Sequence, residues 1–340
     1  MSRKNTWVFI IMLLLGGGIL WWSMRGVNSA DLQSSLATLK WGWVLVAVLA
    51  MVIYLLLEAV VVKILVDSKQ ETISWDNAIR VPLVEQLGNG ITPFSSGGQP
   101  MQLIMLVRAG IDIGRASSIL LMKFIVYQAM IVVNFIGALI IGYNYLQAHL
   151  HQMAWLVIFG FVIHLFVVSS LLLVMYWPTL TDRLVRLCLV PVKWFSPKRY
   201  TDWLSLLQDK MDNFHKESVR MGHDFKTLGK VVLATFLQLL FYYAIPYFIL
   251  LALGQVHTNL IFVMALHILI VMVISLFPIP GGSGGAEAGF AMLFASFLPN
   301  SGALVLAMLI WRLITYYFGM FAGILAFNLP RIRKKQCRMS

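Results

Sequence analysis

From Trp41 to Leu57 the chain carries no charged residue, and Val66 is reached past only Glu58 and Lys63. An apolar run of that length crosses a bilayer as a helix, because ~20 residues span a hydrocarbon core about 30 Å thick. Comparable runs fall at 6–24, 117–142, 154–177, 228–253, 258–277 and 303–327. In lipid each backbone N–H and C=O needs an internal partner, which leaves helices as the form these runs can take. The predicted fold class is all-α: a polytopic integral membrane helix bundle forming one domain over 1–340. Charged residues make up only 12% of the chain, against about 25% in soluble domains, so a soluble enzyme is excluded.

Charge then orients the bundle. The formal net charge is +12, and its Lys and Arg concentrate in Arg3-Lys4, Arg183 to Lys230, and Arg331 to Lys335. The connections 143–153 and 254–259 contain no Lys or Arg. The positive-inside rule places the basic segments in the cytosol, so both termini are expected to be cytoplasmic and the membrane to be the cell's inner membrane. The excess charge therefore reports topology and does not call for nucleic acid. Trp7 to Trp22 follows Arg3-Lys4 like a signal peptide, but no A-x-A site follows it, so it is read as an uncleaved first span. Cys188 and Cys337 show no metal or redox spacing. No metal site and no cofactor are expected.

Within the loop 178–227, Trp203, Leu206, Leu207, Met211 and Phe214 recur at helical spacing near Lys210, Lys216 and Arg220. This pattern predicts an amphipathic helix at the membrane surface or capping the bundle. A basic cytosolic tail follows at 329–340.

Two stretches break the apolar pattern. "EQLGNGITPFSSGGQP" runs from Glu85 to Pro100, and "FPIPGGSGGAEAGF" from Phe277 to Phe290. The second is not a nucleotide loop: it has no Lys-Ser/Thr pair for phosphates, and Glu287 stands where a third dinucleotide-fold glycine would be. Paired Gly/Pro interruptions in the two halves of a membrane protein instead point to a substrate site built from discontinuous helices. Each break precedes a helix start whose N–H groups lack partners and favour an anion. The competing explanation is that these glycines only let helices pack closely. The predicted broken motifs occupy 85–107, re-entrant from the cytosolic side, and 278–299, crossing as a broken segment. About eight crossings result.

The two motifs resemble those of the lysylphosphatidylglycerol synthase transmembrane-domain family, as a stand-alone, flippase-like member. The matching features are Asn89 with "TPFSSGGQP", Arg108, "PIPGGSGGAEAGF", and Arg312 followed by Tyr316 and Tyr317. Gln99 departs from the glutamate that family often places before the proline, which removes an acid–base role there. No synthase-like domain follows the tail, so lipid aminoacylation is not expected. What the resemblance implies is lipid handling, with movement between leaflets.

The expected substrate-binding residues are Asn89, Thr92, Ser95, Ser96, Gly97, Gly98 and Gln99 in the first motif. Gly281, Gly282, Ser283, Gly284 and Glu287 belong to the second, with Arg312 and Tyr316 in the last span. Arg312 sits near the middle of that span, where an arginine costs at least about 2.5 kcal/mol and needs a headgroup or Glu287 as partner. Glu58 and Glu85 are further partners for basic groups. Lys123 and Arg108 are expected near the cytosolic interface, attracting anionic lipid or snorkelling. His164 and His267 are expected to be satisfied by neighbouring helices. No catalytic motif occurs, and Asp31, Asp76 and Asp112 are the weak candidates for an enzyme's acid outside the large loop.

These features favour a lipid transporter or flippase for an anionic or polar-headed lipid. The alternatives are a membrane enzyme or accessory subunit of glycolipid or cell-envelope synthesis, and a lipid-binding scaffold. The expected partner is the membrane lipid itself; a homo-oligomer or a partner enzyme of lipid synthesis stays open.

Overall fold

The computed structural model describes residues 29–67, 72–149, 154–177, 215–274 and 279–329, with scattered positions between 179 and 190. The expected first span, the amphipathic helix around Trp203 to Phe214, and the tail from Pro330 lie outside the described residues.

A short helix α1 (Ser29–Ala37) leads into the long apolar α2 (Trp41–Val66). The first broken element follows as α3 (Trp75–Ile91), a tight turn at Pro93–Ser95, and α4 (Gly98–Arg108). Next come α5 (Ile113–His149), α6 (Ala154–Tyr176) and α7 (Phe225–Ala252). The second broken element is α8 (Leu260–Ile274), a turn at Pro280–Gly282, and α9 (Gly285–Phe294). The last span joins α10 (Ser301–Arg312) to α11 (Gly319–Asn328) through a π-helical stretch, Leu313–Phe318.

Side-chain caps start several of these helices. The Ser74 hydroxyl accepts from Asn77 N–H at 3.4 Å, Asp224 from Thr227 N–H at 3.1 Å, and Asn300 from Ala303 N–H at 2.8 Å. Each satisfies one of the N–H groups that a helix start leaves unpaired. At Asp224 the bonds from Thr227 also hold the carboxyl below its ordinary range.

Five stretches are long and apolar enough to cross a membrane: Trp41–Val66, Ile113–Ile141, Ile158–Tyr176, Phe225–Ala252 and Ser301–Asn328. The two broken elements are different. At 1.5 Å per residue α3 is about 25 Å long, short of a full crossing, and the described part of α8 covers about 22 Å. Both double back. Gly282 lies against Ile274, Gly289 faces Ile270, and the Phe297 ring meets Phe262 at 6.1 Å, so α9 runs antiparallel to α8. In the first element Gly98 lies against Asn89, and Glu85 and Gln102 both bond Lys123.

Each half of the chain thus holds one broken element that folds back as a helical hairpin, as expected of broken or re-entrant segments in each half.

The hairpins enter from opposite faces. The start of α2 meets the end of α7 through Lys40 N–H to Ala252 O at 2.8 Å, and α1 packs on the start of α10. At the other end of α2, Val66 O accepts from Arg115 on α5 at 2.9 Å, and Lys63 reaches Ile73 O at 2.8 Å beside α3. The first hairpin is rooted on this face and the second on the face where α7 ends. Each has its own apolar core. One includes Val62, Val81, Leu106 and Ile119, and the other Leu269, Phe290, Phe294 and Trp311. The turns Pro93–Ser95 and Pro280–Gly282 pack against each other between them.

Candidate functional site

A cavity of about 400 Å³ opens where the two turns meet. Its wall takes residues from both hairpins and from α2, α5, α6, α7, α10 and the π-helical stretch. Of the expected substrate-binding residues, Asn89, Ser95, Ser96, Gln99, Gly281, Gly282, Arg312 and Tyr316 line it. The other six stand behind that wall and shape it.

Thr92 and Gly97 close the first turn: Gly97 N–H donates to the Thr92 hydroxyl at 2.7 Å, and that hydroxyl donates to Gly88 O at 2.8 Å. Gly98 permits close contact between the two arms, since a Cβ there would lie 2.2 Å from Asn89 Oδ1. The second turn places Gly281 and Gly282 at φ +65° and +61°, where side chains are strained. A Cβ on Gly281 would also meet the Tyr316 ring at 2.3 Å. Ser283 donates to Pro280 O at 3.1 Å, completing that turn.

Gly284 N–H does not face an empty anion site. It donates to Glu287 Oε2 at 2.6 Å, so Glu287 caps the start of its own helix from the N3 position. The other Glu287 oxygen accepts from Arg312 Nε at 2.7 Å, and Arg312 Nη1 donates to Gly281 O at 3.0 Å. Tyr316 bridges the two motifs by donating to Gly90 O at 2.9 Å. The guanidinium lies over the rings of Trp311 and Tyr316, 5.2 and 5.5 Å from their centroids. Its Nη2 is buried and has no hydrogen-bond partner among the described residues. Burial of a charged donor without a partner is unfavourable, so this nitrogen calls for a further acceptor.

A second charged group on the cavity wall departs from expectation. Lys123 is not at the cytosolic interface; it is buried, with its Nζ on Glu58, on Glu85 at 2.7 Å and on Gln102 Oε1 at 2.9 Å. Gln238 donates to the second Glu58 oxygen at 3.3 Å. Snorkelling fails because two carboxylates within the bundle hold the ammonium better than the interface does. Arg108 stands at the root of the first hairpin, with its guanidinium 4.4 Å from the Phe327 ring centroid.

His267 is satisfied between helices, accepting from Trp311 Nε1 at 3.2 Å and lying 3.3 Å from Tyr243 O. His164 meets Gln128 at 3.2 Å on the cavity wall. The π-helical stretch places Tyr316 against both motifs, and nothing in the residue pattern announced it. Asp31, Asp76 and Asp112 do not line the cavity; Asp112 accepts from Gly114 N–H at 2.9 Å at the start of α5. No cluster of three metal-ligating side chains occurs among the described residues.

The family model for the lysylphosphatidylglycerol synthase TM region matches residues 9–323. The chain belongs to the lysylphosphatidylglycerol synthase TM-region family. A relative in Archaeoglobus fulgidus, described as a UPF0104 membrane protein, is 28% identical over 305 residues, covering 87% of this chain and 89% of that one. Within this TM-region family fold, the two broken motifs are the elements that frame the cavity.

Proposed function

We propose that this protein moves an anionic or polar-headed lipid between the leaflets of the cell's inner membrane, with the headgroup passing through the cavity between the hairpin turns. One observation carries the reading: Arg312, buried at mid-span, has an Nη2 with no partner among the described residues and lines a cavity of about 400 Å³. That volume suits a headgroup and is too small for a lipid with its tails. An arginine presents parallel N–H donors to a phosphate, a geometry that lysine lacks. The remaining wall supplies amides and hydroxyls from Asn89, Ser95, Ser96 and Gln99.

Hairpins rooted on opposite faces suit transfer across the membrane, because each can open the cavity toward its own side. With the basic segments in the cytosol, the first hairpin opens inward and the second outward. The family's name points to lipid as the medium of the activity, and the cavity chemistry selects a phosphate-bearing headgroup.

The test is a leaflet-resolved assay on purified protein in vesicles containing fluorescent phosphatidylglycerol. Movement of label between leaflets without a change in lipid mass supports transfer. A changed mass supports an envelope-synthesis enzyme, and bound but stationary lipid supports a scaffold.

A further inference from the structure

The charged groups on and directly behind the cavity wall hold more acid than base. Glu58, Glu85 and Lys123 meet on one side, and Arg312 with Glu287 on the other. Three carboxyl groups meet two cations; Glu85 is half-buried and the other four groups are buried. Arg312 and Glu287 balance each other, so the excess lies at Lys123.

That lysine already occupies the place between the carboxyl groups, bonding both. A second metal-sized cation has no room between them. Both carboxyl groups thus reach the same ammonium, which can neutralise only one of them. A second ionised carboxylate would be left as an uncompensated charge away from water, so one of the two carries a proton. The groups around the pair do not supply a further positive charge. Tyr54 on α2, Tyr127 on α5 and Tyr242 on α7 line the same cavity and carry no positive charge in either protonation state, and His164 on α6 bonds Gln128. Arg312 is committed to Glu287.

We propose that Glu58 and Glu85 share one bound proton and that this site couples lipid transfer to the transmembrane proton gradient. The proposal rests on the headgroup reading above for its lipid half and on the carboxyl pair alone for its proton half. The coupling is direct electrostatics within one cavity. A phosphate arriving at Arg312 adds negative charge and favours the protonated pair, whereas its departure favours proton release. Linkage makes the effect reciprocal, so a proton gradient biases the lipid distribution.

Two measurements test this. Infrared difference spectroscopy on the purified protein at neutral pH should show a protonated carboxyl stretch in the wild type. Glu58→Gln and Glu85→Gln should each lose it, because the remaining carboxylate then pairs one-to-one with Lys123 and ionises. Absence of the band in the folded wild type, or its persistence in both variants, overturns the proton site. In vesicles with the membrane potential clamped to zero, a gradient of one pH unit should shift the steady-state leaflet ratio of phosphatidylglycerol up to about tenfold for one proton per lipid. If label exchanges freely but ignores the pH gradient, or follows a sodium gradient, the coupling is wrong while the lipid reading stands. If no label moves, the lipid reading fails and with it the coupling, while the infrared band still decides the proton site.

Discussion

On the second hairpin's side of the cavity one arginine meets one carboxylate; on the first hairpin's side one lysine meets two. Glu287 has a second anchor in Gly284 N–H, so its charge is supported by the start of α9 even without Arg312. Glu58 and Glu85 have mainly Lys123, with amide contacts around them. The two clusters therefore differ in what they can release. The arginine holds position with two nitrogens and has a third with no partner among the described residues, whereas every Lys123 bond goes to the protein.

The comparison breaks first at Lys123. Lys123→Met leaves two buried carboxyl groups without their cation, and loss of one partner of a buried pair costs about 5 kcal/mol at the upper end. Little folded protein should be recovered, as judged by size-exclusion chromatography of detergent extracts. Adding Glu58→Gln and Glu85→Gln to Lys123→Met should restore recovery. Recovery of Lys123→Met alone at the wild-type level would show that the lysine is not what holds the carboxyl groups there.

Arg312→Gln should be milder, about 3 kcal/mol, because Glu287 keeps its backbone donor. Thermal unfolding in nanodiscs should place it between the wild type and Lys123→Met. Arg312→Gln/Glu287→Gln should regain stability but not lipid exchange. Wild-type exchange by that double variant would leave the arginine only a structural role.

The turns sharpen the same contrast on a smaller scale. The second turn uses glycines where the chain takes positive φ, but the first uses Phe94 and Ser95, both at φ 53°. Gly281→Ala should destabilise by about 2 kcal/mol through strain and the clash with Tyr316. Ser95→Gly should stabilise by about 1 kcal/mol, since it relieves a left-handed side-chain residue. Both shifts are readable as thermal midpoints, and the opposite sign at Ser95 would mean that its side chain contributes more than its backbone conformation loses.

Much of this architecture was legible in the residues because lipid permits few alternatives. The spans at 42–66, 117–142, 228–253 and 303–327 appear as helices, and both breaks announced themselves through Gly and Pro. The pairing of Arg312 with Glu287, 25 residues apart, was readable because a mid-span arginine needs an acid. The return of α9 along α8 was not, because it is set by contacts across the turn, Gly289 against Ile270 and Phe297 against Phe262, that an apolar run does not announce. Lys123 was misplaced for a related reason. Its acids lie 65 and 38 residues away, and helix periodicity says nothing about contacts across that distance.

The most direct test of the account is the rate of phosphatidylglycerol exchange by Arg312→Lys, measured per folded protein in vesicles. Lysine keeps the charge beside Glu287 but offers a single point of contact in place of the guanidinium fork. If Arg312 recognises the headgroup phosphate, the rate should fall at least about tenfold, equivalent to about 1.4 kcal/mol, while membrane abundance stays close to the wild type. An Arg312→Lys protein that exchanges lipid at the wild-type rate would contradict the central role of that guanidinium nitrogen.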